Sequence, residues 1–241
     1  MNGKRIGGAK ANTSSKVFTA AGDDALMERV YERCHEAMAR ATAAATAPEA
    51  FLAALVANES GAEAAAARFE PAVYAHLAAV GRGEEPAFGS IRAAALDAEV
   101  ADLLHPKTAS YHARALGLVT TSRLSALLAE LNDEALRELA TSWGYTQIMG
   151  YHVINRQGTL RDLLDADFHF RMAVALLSEF AEAYQLDSGR EFREMFCCWN
   201  TGRPYGVTFD PEYVEKGLAR MEIYRGILAA ETSATTAGAQ Q

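Results

Sequence analysis

Residues 142–150 read Ser-Trp-Gly-Tyr-Thr-Gln-Ile-Met-Gly. Gly144 and Gly150 bracket a short apolar stretch that one amide, Gln147, interrupts. Glycines so placed mark tight turns or close approaches of backbone. A glutamine held between them offers N–H donors and a carbonyl together, which suits an acetamido or hydroxyl group. A buried tight turn whose glutamine bonds only backbone would read the same way.

Toward the N-terminus, the next residue with chemical promise is Glu59. It follows Leu55 by four and Val56 by three, so it continues an apolar helical stripe and is expected to point inward. Gly61 can stop that helix, which puts Glu59 in its last turn. Burial and the negative end of the helix dipole both disfavour a charged carboxylate there, so its pKa should rise. A carboxyl group that stays protonated near neutral pH is what a general acid needs. The plainer alternative is a half-buried glutamate capping its own helix end. Toward the C-terminus, Cys198-Trp-Asn-Thr-Gly202 places an indole beside an amide. Trp199 can stack on a sugar ring and Asn200 can hydrogen-bond one; a helix end with an asparagine cap is the alternative.

Taken in order, Glu-Ser-Gly at 59–61, the 142–150 segment and Trp-Asn-Thr-Gly at 199–202 resemble the lysozyme-like superfamily of lytic transglycosylases and goose-type lysozymes. The chain is most similar to the N-acetylmuramidase family of bacterial and phage peptidoglycan hydrolases, in which an aromatic-Glu pair follows the acid and Ser-Trp-Gly-x-x-Gln-Ile-Met-Gly comes much later. Phe69-Glu70, with Tyr74 after it, stands at the first of these and Ser142–Gly150 at the second. The resemblance spans about residues 51–224. It implies a mainly helical fold, all-α or α with a minor β hairpin, in which Glu59 is the catalytic acid. Tyr145 and Gln147 would line the saccharide subsites. Trp199 and Asn200 would border the cleft, with Asn200 near the acid. Trp199 replaces the family's tyrosine, so the hydrogen bond that tyrosine would give the glutamate has no evident donor. Glu70 is the candidate second carboxylate, with Glu63 and Asp97 behind it. A second carboxylate with room for water implies an inverting hydrolase. Without one, Glu59 would protonate the leaving oxygen and then deprotonate the muramic 6-hydroxyl, the lytic transglycosylase outcome.

Composition narrows the alternatives. The chain has 241 residues, 50% of them hydrophobic and many of those alanine, enough for one helical domain with a core. Expected boundaries are a tail at 1–20, a lysozyme-like catalytic domain at 21–230 with a helical insertion at about 81–135, and a tail at 231–241. A formal net charge of −8 argues against nucleic-acid or anionic-membrane partners. No uncharged apolar run is long enough to span a bilayer, and residues 1–20 lack the apolar core of a signal peptide. Three cysteines make no disulfide framework and fit small buried residues. His35-Glu36 lacks the second histidine of a zinc motif, and His105 and His112 are expected at the surface. No metal or organic cofactor is expected. The expected partner is the glycan strand of peptidoglycan, met by a monomer outside the cytoplasm, in periplasm, cell wall or phage lysis. The rival reading is a non-catalytic module that keeps the fold for binding or structure.

Helices are expected at about 23–41, from Pro48 to Gly61, at about 66–79, 91–104, 109–116, 120–130, 133–141 and 166–184, after a Ser188/Glu191 capping box, and from Asp210-Pro211 to about Ala229.

Overall fold

A computed structural model describes residues 20–81, 84, 133, 135–154 and 156–238. Asp97, His105, His112 and most of the expected 81–135 insertion lie outside those residues. The described chain is mainly helical with a small three-stranded antiparallel sheet. Its helices are α1 (Ala20–Thr42), α2 (Glu49–Glu59), α3 (Pro71–Gly81), α4 (Ala166–Tyr184), α5 (Phe192–Thr201) and α6 (Tyr213–Gly238). Residues 135–139 are also helical. Two short 3-10 helices, Gly150–Val153 and Leu160–Leu164, lead into α4.

The middle of the core is α2. Every residue from Ala50 to Ala57 is buried, and Phe51, Leu52, Leu55 and Val56 have no exposed surface. A helix that is apolar all round is a helix surrounded by others, and α2 packs against both α1 and α6. Burying each large apolar side chain contributes about 1.5–3 kcal/mol, so this short helix is held by its neighbours rather than by propensity. Pro48 is its N-cap, one residue earlier than the first helical position expected of it. At the other end the amides of Ser60 and Gly61 both donate to the carbonyl of Val56, and Gly61 turns the chain at φ +63°. Inward placement of Glu59 therefore comes from standing at the end of a helix enclosed on all sides, not from a single stripe.

Several expectations need correction. The helix expected at 66–79 is a strand followed by a helix: Ala67–Phe69 forms β1, and α3 begins at Pro71, whose fixed φ suits a helix start. β1 pairs antiparallel with β2 (Thr141–Trp143), Arg68 opposite Ser142, and β2 pairs with β3 (Ile148–Met149). The sheet thus has one strand more than a hairpin, and the helix expected to reach 141 gives way to β2. Ser188 and Glu191 form no capping box. Its partner role falls one residue earlier: the amide of Asp187 donates to the Glu191 carboxylate at 2.6 Å, and Oδ1 of Asp187 accepts from Gly189 at 2.9 Å. The last helix continues past Ala229 to Gly238.

α6 is tied to the core by polar as well as apolar contacts. Tyr213, Arg220, Met221 and Tyr224 are buried along one side of it. Arg220 forms an ion pair with Asp23 of α1 at 2.8 Å, and both side chains are largely buried. The same guanidinium donates to Oδ1 of Asn58 at 2.7 Å, and Asn58 Nδ2 donates to the carbonyl of Tyr213 at 3.0 Å. A buried pair contributes only when its geometry is good and its remaining bonds are met; here two guanidinium nitrogens converge on Oδ1 of Asp23 and the third is taken by Asn58. The result is a polar clamp holding the starts of α1 and α6 against the end of α2. At Gly217, an added Cβ would lie 2.5 Å from the ring of Phe196, so glycine is what lets α5 approach α6 this closely.

Candidate active site

Glu59 occupies the last residue of α2 and is mostly shielded from solvent. Burial raises its pKa from 4.5 to about 7, against two opposing influences: a hydrogen bond from Tyr213 and the charge of Arg68. Desolvation is the larger effect because the carboxyl lies at the end of the apolar core while Arg68 is largely exposed. The hydroxyl of Tyr213, in the first turn of α6, donates to Oε1 of Glu59. Tyr213 is itself buried, and burial with the adjoining carboxylate lifts its own pKa well above the ordinary phenol value, so it stays a donor. The hydrogen-bond donor that Trp199 could not provide is thus present, thirteen residues beyond Asn200. Tyr213 was not singled out in the sequence. Its signal was the inward row Tyr213, Gly217, Arg220 and Tyr224 after Asp210-Pro211, at helical spacing.

The 142–150 segment is the hinge of the arrangement. Residues 144–147 form the turn between β2 and β3. Gly144 has φ +72°, and a Cβ on it would lie 2.6 Å from the carbonyl of Leu163 and 2.7 Å from Nδ1 of His169. No other residue fits. His169 is fully buried. Its Nδ1 lies 2.8 Å from the carbonyl of Leu163 and so carries the proton, leaving Nε2 to accept from the amide of Thr146 at 2.9 Å. Burial pushes its pKa down to about 4, which keeps the ring neutral. Tyr145 is buried, its ring stacked on Phe170 with centroids 5.2 Å apart and meeting His169 edge-on. Its ring belongs to the frame of the turn.

Gln147 is bound on all sides of its amide. Nε2 donates to the carbonyls of Gly144 at 2.9 Å and Ala66 at 3.2 Å, and Oε1 accepts from the hydroxyl of Ser142 at 2.8 Å. Its amide therefore laces the turn to the residue preceding β1. Both amide donors are spent in this way, and only the second lone pair of the carbonyl is left for a ligand.

Consecutive carbonyls of the turn bring the three sequence motifs together. The hydroxyl of Ser60, next to Glu59, donates to Tyr145 O at 2.6 Å, and Nε1 of Trp199 donates to Thr146 O at 3.0 Å. Trp199 and Asn200 lie in the last turn of α5, which ends at Gly202 with φ +76°. Asn200 is exposed, and its Oδ1 lies 3.4 Å from the amide of Phe209. With Gln147 and Met149 they line a cleft of about 640 Å³. Glu59 does not line this cleft. It sits beyond the turn, joined to it through Ser60.

Of the other candidate carboxylates, Glu70 is the one held by Arg68. Its Nε lies 3.0 Å from Oε1 of half-buried Glu70, and its charge also reaches Glu59. Arg68 and Glu70 are two residues apart at the end of β1, where alternation puts them on one side. Glu63 is exposed and 3.9 Å from Arg33. Among the described residues no cluster of His, Cys, Asp and Glu could hold a metal ion, and no helix is long and apolar enough to cross a membrane. Cys34 and Cys198 are buried, and burial raises their thiols to about 12 and about 11.

No family model, no curated protein and no solved structure matches this chain.

Proposed function

We propose that this chain is a peptidoglycan glycosidase of lysozyme-like fold that cleaves the β-1,4 bond between N-acetylmuramic acid and N-acetylglucosamine, with Glu59 as general acid. One observation carries the reading. A glutamic acid at the end of the central helix has its pKa lifted to about 7 by burial, and a buried tyrosine hydroxyl fixes one of its carboxyl oxygens. An acid works best when its pKa lies near the working pH. The meeting of Ser60, Trp199 and the 144–147 turn supports the same reading, because it joins the motifs that carry the resemblance.

In the proposed reaction Glu59 gives its proton to the glycosidic oxygen as the bond to the muramic anomeric carbon breaks. Positive charge on the sugar then has to be met by a nucleophile. Arg68 links Glu70 to the neighbourhood of Glu59 and favours a hydrolytic route, in which Glu70 takes a proton from the attacking water. On the transglycosylase route ionised Glu59 takes the proton from the muramic 6-hydroxyl, which closes a 1,6-anhydro ring.

Clearing of purified sacculi by the wild type and by Glu59→Gln tests the proposal. Loss of clearing in a folded variant is expected. Equal clearing by both proteins ends the catalytic reading, and binding without clearing by the wild type turns it to the non-catalytic module.

A further inference from the structure

The lining of the 640 Å³ cleft changes chemistry with the element that supplies it. The turn and α5 bring an amide carbonyl, an indole and Asn200. The segment after β3 and helix α4 bring His152, Arg156 and Glu179. Nη2 of Arg156 spans the two carboxylate oxygens of Glu179 at 2.6 and 2.7 Å. That engages one nitrogen, and the rest of the guanidinium fork has no hydrogen-bond acceptor among the described residues. His152 packs on Tyr151, with ring centroids 4.4 Å apart. Burial pushes its pKa down to about 4, so the imidazole is neutral. Neither ring nitrogen has a hydrogen-bond partner among the described residues, which leaves one donor and one acceptor beside the cleft.

Stability alone accounts poorly for this group. A partly exposed ion pair contributes about 0–1 kcal/mol, and fixing two long side chains costs a comparable entropy. A plain anion is not matched either, because Glu179 cancels the charge of Arg156. The pair is complementary to a ligand that carries a carboxylate and an ammonium group close together. A glycan stripped of its peptides keeps the lactyl carboxylate of muramic acid but has no ammonium group. The peptide attached through the lactyl ether of muramic acid carries both.

We propose that His152, Arg156 and Glu179 form a subsite for the peptide substituent of muramic acid, with Arg156 taking a carboxylate, Glu179 an ammonium group and His152 a peptide amide. The assignment rests on the glycosidase reading above. Such a subsite makes the enzyme prefer peptide-bearing strands to naked glycan, chiefly through KM.

The test compares the full-length protein on two substrates: intact glycan strands with their peptides, and the same strands after enzymatic removal of the peptides. The wild type is expected to have a KM about tenfold lower on the peptide-bearing strands, the fold-change that one or two charge-assisted contacts give. Arg156→Gln and, separately, Glu179→Gln are expected to erase that preference and to leave turnover of stripped strands unchanged. If Arg156→Gln does not fold, Glu179→Gln, at a more exposed position, carries the test alone. Equal KM for both substrates with the wild type overturns the subsite but leaves the glycosidase reading standing. Equal losses on both substrates in the variants also overturn it, since the residues then serve the fold or the glycan. A wild type that cleaves neither substrate removes the glycosidase reading and this inference with it.

Discussion

The hydroxyl of Tyr213 donates to Oε1 of Glu59, and this bond joins the first turn of α6 to the last turn of α2. The contact spans 154 residues of sequence. It is braced from behind: Asn58, adjacent to Glu59, holds the carbonyl of Tyr213, and Arg220 holds Asn58 while paired to Asp23. The acid is therefore positioned by the same clamp that closes three helices on each other.

Removing the oxygen of Tyr213 separates orientation from proton affinity. In Tyr213→Phe the carboxylate loses a donor that favours its charged form, so the pKa of Glu59 should rise above about 7. A shift of about one unit corresponds to about 1.4 kcal/mol, close to the low end of what a hydrogen bond to a charged group contributes. The alkaline limb of the pH–rate profile on sacculi should move upward by that amount, while kcat at its plateau falls about tenfold through lost orientation. A limb that stays in place would show that the bond does not act on the acid.

Glu59→Gln keeps the shape of the side chain and removes its proton. Activity should drop by at least roughly 10²–10⁴-fold, the usual contribution of a positioned acid. The effect on stability should depend on pH, with a definite sign. The folded-state pKa is raised from 4.5 to about 7, so the stability this group contributes is complete below pH 4.5 and is lost as pH rises through 7. The difference of about 2.5 units amounts to on the order of 3 kcal/mol. Urea denaturation at pH 5 should find wild type and Glu59→Gln nearly alike, and at pH 8 it should find the variant the more stable. The same stability difference at both pH values would mean that Glu59 is not buried as a neutral acid.

Gly144→Ala tests the turn. The substitution must accept φ +72° and a Cβ within 2.6–2.7 Å of Leu163 O and His169. Left-handed backbone costs an alanine about 1 kcal/mol or more, and the overlap adds strain, so a loss of about 2–4 kcal/mol in chemical denaturation is expected. A loss below about 1 kcal/mol would mean that α4 and the turn can part without cost.

What could be read in the chain, and what could not, follows from how far apart the deciding contacts lie. The bounds of α4 were legible because a long apolar register is a local signal; the structure adds the Asp165 carboxylate that caps its start. Pro48 and Gly61 framed α2 for the same reason. β1 was not legible. Its three residues are exposed and show no alternation of burial, and they are a strand only because Thr141–Trp143, about seventy residues later, supplies their hydrogen bonds. The 142–150 segment was recognised, but the work of its side chains was only half visible. Gly144 was read as a turn residue, which it is, whereas Gln147 was expected to face a sugar and instead spends its donors on Gly144 and Ala66. Tyr213 was missed because its meaning depends on α6 docking against α2.

Glu70→Gln separates the two routes to product. Glu70 is half-buried and held by Arg68, whose charge also acts on Glu59. If Glu70 activates water, the amide cannot accept the proton, and clearing of sacculi should fall by roughly 10²-fold or more, nearly as far as in Glu59→Gln. Arg68 would also lose its counter-ion and stabilise ionised Glu59 more strongly, so the residual activity should fall off at lower pH than in the wild type. Mass spectrometry of the wild-type muropeptides should find reducing ends, one water heavier than anhydro ends. A mild effect of Glu70→Gln together with anhydro ends assigns both proton transfers to Glu59 and makes the enzyme a lytic transglycosylase. A mild effect with reducing ends keeps water as the nucleophile and moves its base to another carboxylate. Glu63, near Arg33, is then the first to substitute, and Asp97 the next.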